Sequence, residues 1–215
     1  MQEPRNLFPA GTPTRRVIDY AMNEFFQKGV RQVTMDDIAK GLQMSKRTLY
    51  QLFADKEQLI IACIEVIAER ERNLALSLIE EKRNELEIIL RIIEHRLKSL
   101  ETISTTYVAD IMRYKSVTEY IETARKESIR RAVAFFNKGA VNGLFRPDVN
   151  FDIVMNSMVQ KMDTVVRAVN NNVYPARDYF INSVLFHLRG CCTPKGIKLI
   201  DTFIERYKED FSTNA

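Results

Sequence analysis

The sequence predicts an all-α protein: a small N-terminal helical bundle followed by a larger helical domain. Three observations carry this expectation. The six prolines are Pro4, Pro9, Pro13, Pro147, Pro175 and Pro194, so none falls between Pro13 and Pro147. Proline removes a backbone donor and clashes with the preceding turn, and its absence permits long helices. Within that stretch apolar residues recur at helical spacing, while the alternating Val-, Thr- and aromatic-rich runs of strands are missing.

Caps place the elements in order. Thr12 is an N-cap with Pro13 at the first helical position, opening a helix with Val17, Ile18, Ala21 and Phe25 on one face. Gly29 after Lys28 closes it. Thr34 with Asp37 resembles a capping box and opens a short helix ending near Gly41. Ser45 caps a third helix, and Asp55 with Gln58 caps a fourth. "EQLIIACIEVIAERERNLALSLIEEK" then reads as one long helix that fades in the polar stretch Glu80 to Asn84. Asn84 with Glu87 caps the next, and Ser116 with Glu119 starts another that runs to about Asn142-Gly143.

The turn "GLFRPDVN" leads to Asn150 and a Val- and Met-rich helix up to Asn170. Pro175 and Pro194 mark later helix starts, and Arg189-Gly190 ends the helix between them. The domain expectation is a small helical bundle over residues 1–60 and a larger helical domain over 61–215. The boundary lies inside the fourth helix.

Composition narrows the function. Of 215 residues, 46% are hydrophobic and 28% charged, as in an ordinary globular chain. No run approaches the ~18–20 uncharged apolar residues of a membrane span. The opening "MQEPRNLFPAGTPTRR" lacks a signal-peptide core, so the expected location is cytoplasmic, with no membrane partner. The net charge of +4 permits nucleic acid as a partner without demanding it. Cys63, Cys191 and Cys192 show no CxxC spacing, which argues against a disulfide framework or zinc site. The adjacent Cys191-Cys192 reads either as two small residues at a helix end or as a redox pair. His95 and His187 have no ligand-spaced partners, so no metal is expected. Phosphate loops, HExxH and GxSxG are absent, and no catalytic residue or cofactor is assigned.

The informative stretch is "TMDDIAKGLQMSKRTLYQLF", residues 34–53. Two short helices joined by Leu42-Gln43-Met44 make a helix-turn-helix, whose second helix can enter a DNA major groove. Ile38, Ala39, Leu42, Leu49 and Phe53 would pack the pair against Val17, Ala21 and Phe25. Ser45, Lys46, Arg47, Thr48 and Tyr50 would then face outward together. The helix start at Ser45 suits a phosphate, and Arg47 can pair bidentately with guanine. Tyr50 and Lys56 follow about one to two turns later, placed for backbone phosphates, and Thr34 can combine its capping role with a phosphate contact.

On these residues the N-terminal ~60 positions resemble the DNA-binding domain of the TetR family of bacterial transcriptional regulators. The matching segments are "VIDYAMNEFFQKGV", "TMDDIAKGL" and "SKRTLYQLFADKEQL". The resemblance implies a homodimer reading a palindromic double-stranded operator. It also implies that residues 1–60 are a helix-turn-helix DNA-binding domain, and that 61–215, from about residue 65 onward, form a helical ligand-binding and dimerisation domain for an unidentified small-molecule effector. Two positions depart from the family pattern. Gln43 stands where a turn glycine is common, and Leu52 where many members carry a phosphate-binding histidine.

In the second half, Phe151, Met155, Met158, Met162, Val165 and Val169 form one helical stripe. Phe180, Val184, His187 and Cys191 form another, and two such faces suit a four-helix interface between copies. Tyr107, Asp110, Arg113, Tyr114, Phe135 and Phe136 are candidate cavity residues. The function read from the sequence is a ligand-responsive, sequence-specific transcriptional repressor. The alternative is a helical small-molecule-binding or protein-interaction module with a vestigial DNA-binding motif.

Overall fold

A computed structural model describes residues 7–101, 105–159 and 180–212. The first seven helices are α1 (Pro13–Lys28), α2 (Met35–Gly41), α3 (Lys46–Leu52), α4 (Lys56–Glu80), α5 (Glu85–Glu101), α6 (Thr105–Ile111) and α7 (Lys115–Val141). Helix α8 covers 151–159, a π-helical turn spans Phe180–Leu185, and α9 (Phe186–Gly190) and α10 (Pro194–Ser212) follow. Among the described residues there is no strand, only an isolated bridge between Phe145 and Cys192. No described helix is long and apolar enough to cross a membrane.

Most caps fall where the residues place them. The Thr12 hydroxyl accepts from the Arg15 N–H at 3.2 Å, and Gly29 closes α1 at φ 82°. Asn84 and Glu87 cap α5 reciprocally, at 2.9 and 3.4 Å. Asp55 accepts from the Gln58 N–H at 2.8 Å, and Asn150 accepts from the Asp152 and Ile153 amides.

Two expectations need correction. The stretch between Asn84 and Ser116 is two helices, α5 and α6. Ser116 is not a cap: Tyr114 precedes α7, its carbonyl accepting from the Thr118 N–H at 3.0 Å. The Ser116 hydroxyl instead donates to the Glu57 carboxylate on α4. A side-chain partner distant in the chain outcompeted the local cap.

The chain divides into two compact units. The first comprises residues 1–76 and 102–124. Its core contains Val17, Ile18, Phe25, Ile38, Leu49, Leu59 and Ile60, all fully buried. Within it α6 covers the end of α1. Tyr107 meets Phe26 edge to face at 5.0 Å, and the buried Asp110 carboxylate accepts the Arg31 N–H at 2.9 Å.

The second unit comprises residues 77–101 and 125–215. Phe136, Phe145 and Phe151 form an aromatic cluster with centroids 4.7–5.9 Å apart. The "GLFRPDVN" turn is pinned there: the Arg146 N–H donates to the Cys191 carbonyl and the Thr193 N–H to the Leu144 carbonyl.

The six candidate cavity residues are therefore divided. Tyr107 and Asp110 serve the packing of the first unit, and Phe136 the core of the second. The Met-rich stripe holds for Phe151 and Met155, which are buried, while Met162, Val165 and Val169 lie outside the described residues. The next stripe is shifted: Val184, Leu185, Leu188 and Cys191 are buried and His187 is exposed. The π-turn before α9 breaks the 3.6-residue period on which that stripe depended.

Cys191 and Cys192 are buried free thiols donating to the His187 and Leu188 carbonyls. Burial raises both, Cys192 to about 12, so the reactive thiolate is scarce. Two small buried side chains at a helix end describe this pair.

Candidate nucleic-acid interface

The site is built on α2 and α3. In α2 the Thr34 hydroxyl accepts from the Asp37 N–H at 3.2 Å, and Asp37 accepts from the Thr34 N–H at 2.9 Å. The capping box is complete and is worth about 1 kcal/mol. Thr34 holds the Asp37 carboxyl below its usual range through its hydroxyl and its amide. Ile38 and Ala39 are buried, which fixes the inward face of α2.

The turn follows from two residues. Gln43 is left-handed at φ 54°, and the Met44 N–H returns to the Ala39 carbonyl at 3.0 Å. A non-glycine residue there costs about 1 kcal/mol. Gly41 meets a different demand. A Cβ at Gly41 would lie 1.9 Å from the Tyr20 hydroxyl oxygen, so any side chain there would have to displace the Tyr20 ring of α1.

Helix α3 opens with Ser45, whose hydroxyl accepts from the Thr48 N–H at 3.0 Å. It is anchored by Leu49, fully buried, with Phe53 buried beyond it. Burial of Leu49 contributes roughly 1.5–3 kcal/mol. Leu52 is half-buried and packs against the same core. This anchoring leaves Ser45, Lys46, Arg47, Thr48 and Tyr50 exposed on a single short helix start, with Tyr50 48% exposed. The Ser45 and Thr48 hydroxyls are 2.8 Å apart.

The cations around this face differ in what holds them. Arg47 has no ion pair or hydrogen bond among the described residues. The Lys46 ammonium lies 2.5 Å from the Asp36 carboxylate, which raises its pKa by hydrogen bond and charge. Lys56 is turned inward: its ammonium donates to the Val30 carbonyl at 2.5 Å and lies 5.8 Å from the centre of the Phe25 ring. Burial pushes its pKa down. The expected phosphate role of Lys56 thus meets a residue already engaged in the core of its unit, because the lysine stem reaches back across the α1–α2 corner.

Asp36 is a further member of this site that the helix-turn-helix pattern does not mark. Its signal in the sequence is the adjacent pair of acids Asp36 and Asp37, of which a capping box uses only one. Among the described residues no three His, Cys, Asp or Glu side chains gather as a metal site.

An exposed, donor-rich short helix, packed through one leucine onto a capped partner helix, makes a helix-turn-helix, the arrangement that DNA-binding proteins use to enter a major groove. The chain matches the family described as "Bacterial regulatory proteins, tetR family" over residues 17–63, which supports a DNA-binding regulator of that kind. It is similar to the transcriptional repressor KstR2 of Mycobacterium tuberculosis, 25% identical over 143 residues, covering 64% of this chain and 72% of that protein.

The solved KstR2, described as a ketosteroid transcriptional regulator, superposes with a TM-score of 0.55 at 22% identity, over 86% of this chain and 97% of that one. The fatty acid degradation regulator FadR of Bacillus halodurans gives 0.66 at 16% identity, over 85% and 96%. SmeT, repressor of the Stenotrophomonas maltophilia multidrug efflux pump SmeDEF, gives 0.67 at 14%, over 86% and 92%. These structural likenesses describe a shared fold.

Proposed function

We propose that this chain is a ligand-responsive repressor that binds a palindromic operator as a homodimer. The observation that carries the reading is the exposed face of Ser45, Arg47, Thr48 and Tyr50 on a helix anchored by Leu49. Arg47 is the candidate for reading a base edge. Thr34, Ser45, Thr48 and Tyr50 supply hydroxyls, and Lys46 a charge, for the phosphates on either side. Lys56 acts from behind this face, tying α4 to the α1–α2 corner. Residues 1–60 carry the DNA-contacting elements, and those from 61 onward serve effector binding and dimerisation.

In such a dimer the recognition helices occupy successive major grooves about 34–36 Å apart. An effector favouring a different head spacing shifts the population off the operator, and a few kcal/mol of differential affinity suffices. The ketosteroid and fatty acid names of similar proteins support an apolar effector.

The test is selection of bound fragments from the source genome, then titration of the best fragment at several salt concentrations. A palindromic site bound at nanomolar affinity, weakening by orders of magnitude as salt rises, is the expected result. Weak binding indifferent to sequence would instead identify a helical ligand-binding module with a vestigial motif.

A further inference from the structure

Two neighbouring cations on α3 are held in opposite ways. Arg47 stands unpaired among the described residues, while Lys46 is bridged to Asp36, ten positions earlier and across the turn on α2. Both members of the bridge are exposed, Lys46 by 62% and Asp36 by 43% of their side chains. The adjacent Asp37 is committed to the Thr34 cap, which leaves Asp36 as the carboxylate free to take the lysine. From Thr34 to Phe53 the formal charges are Lys40, Lys46 and Arg47 against Asp36 and Asp37, so the motif is only weakly basic.

We propose that Asp36 is a positioning residue for DNA binding: it retains Lys46 in an intramolecular ion pair and yields it only to a phosphate docked within reach of the same ammonium. This rests on the reading of α3 as the DNA-contacting helix. A free lysine ammonium binds any passing phosphate and releases a counterion whatever the sequence. A lysine already neutralised by a carboxylate gains little from a loose encounter, because it exchanges one anion for another. In the specific complex, contacts from neighbouring side chains fix the phosphate, and the exchange becomes favourable. Asp36 therefore weakens binding to arbitrary DNA more than binding to the operator, and so widens the ratio between them.

The experiment uses the full chain as wild type, Asp36→Asn, Lys46→Gln and the double variant, with Arg47→Ala as a control. Each is titrated with a fixed mixed-sequence duplex and with the best genomic fragment across a salt series. Asp36→Asn should tighten binding to the mixed duplex about two- to fivefold per half-site, the range of an exposed ion pair. It should also steepen the log–log salt slope by roughly 0.9 per half-site, with a smaller gain on the selected fragment. In the Lys46→Gln background the gain should vanish. An equal gain in that background would mean simple repulsion between Asp36 and DNA and would overturn the proposal. If Lys46→Gln weakens binding and Asp36→Asn changes nothing, the interface stands and the role of Asp36 falls. If neither Lys46→Gln nor Arg47→Ala alters a measurable affinity, the reading of α3 itself fails, and the proposal with it.

Discussion

The Tyr20 ring on α1 fills the space beside Gly41, at the end of α2, that a methyl group there would need. A Cβ built there would lie 1.9 Å from the tyrosine hydroxyl oxygen and 2.4 Å from the ring carbon bearing it. Gly41→Ala should therefore lower stability by about 1–3 kcal/mol, even though alanine is the better helix former. In a Tyr20→Ala background the same substitution should become neutral or stabilising by up to about 1 kcal/mol. Urea unfolding of the four proteins measures both effects. A neutral Gly41→Ala in the wild-type background would show that the ring can swing aside.

Gln43 offers the converse case. Its left-handed backbone is set by the turn, and glycine there relieves a strain of about 1 kcal/mol while adding freedom to the unfolded chain. Gln43→Gly should gain no more than about 1 kcal/mol. Gln43→Val should lose at least about 1 kcal/mol, because branching at Cβ worsens a left-handed residue. Thermal unfolding ranks the three, and valine above glutamine would contradict the assigned conformation.

On the exposed face of α3, Arg47 and Tyr50 should separate by what they read. Arg47→Ala should cost about 1–3 kcal/mol per half-site on the selected operator and relax preference at one base position. Tyr50→Phe should weaken all sequences alike, since a hydroxyl to phosphate carries no sequence information. Titration against an operator and its single-base variants tells them apart; wild-type affinity in both would remove α3 from the interface.

Glu85, in the second unit, gives a pH signature. Burial alone would raise its carboxyl, but the Asn142 amide at 3.0 Å and the Lys138 ammonium at 3.2 Å outweigh that and hold it low. A depressed folded pKa stabilises above the unfolded value near 4.3, and the contribution fades as pH falls through the folded value. Asn142→Ala should lose about 1 kcal/mol at pH 7, and its gap from wild type should narrow in acid. Denaturation midpoints from pH 7 to pH 3 follow the convergence; a gap that widens in acid would reverse the sign argued here.

The parts of the molecule legible in the sequence are those ruled by near neighbours. Thr12, Thr34 with Asp37, Ser45, Asp55 and Asn84 with Glu87 each cap through partners three residues away, and each appears as its spacing implies. The exposed donors of α3 follow from the same local logic once Leu49 is taken as the anchor. Long-range partners escape such reading. Ser116 has the spacing of a cap yet bonds Glu57, 59 positions away, and Lys56 looks like a phosphate ligand yet reaches Val30. The bridge from Asp36 to Lys46 crosses a turn whose geometry rests on Gln43, a residue whose backbone state its side chain does not announce.

The bond from the Arg31 amide to Asp110 has a practical corollary for anyone moving this specificity onto another protein. A contiguous gene fragment ending at residue 76 would carry α1 to α3 but strip the amide of its acceptor and Phe26 of the Tyr107 ring. The transplantable module is two separate stretches of polypeptide, 1–76 and 102–124, so a chimaera needs three junctions rather than one. A fusion made with the first stretch alone should melt at a lower temperature than one made with both.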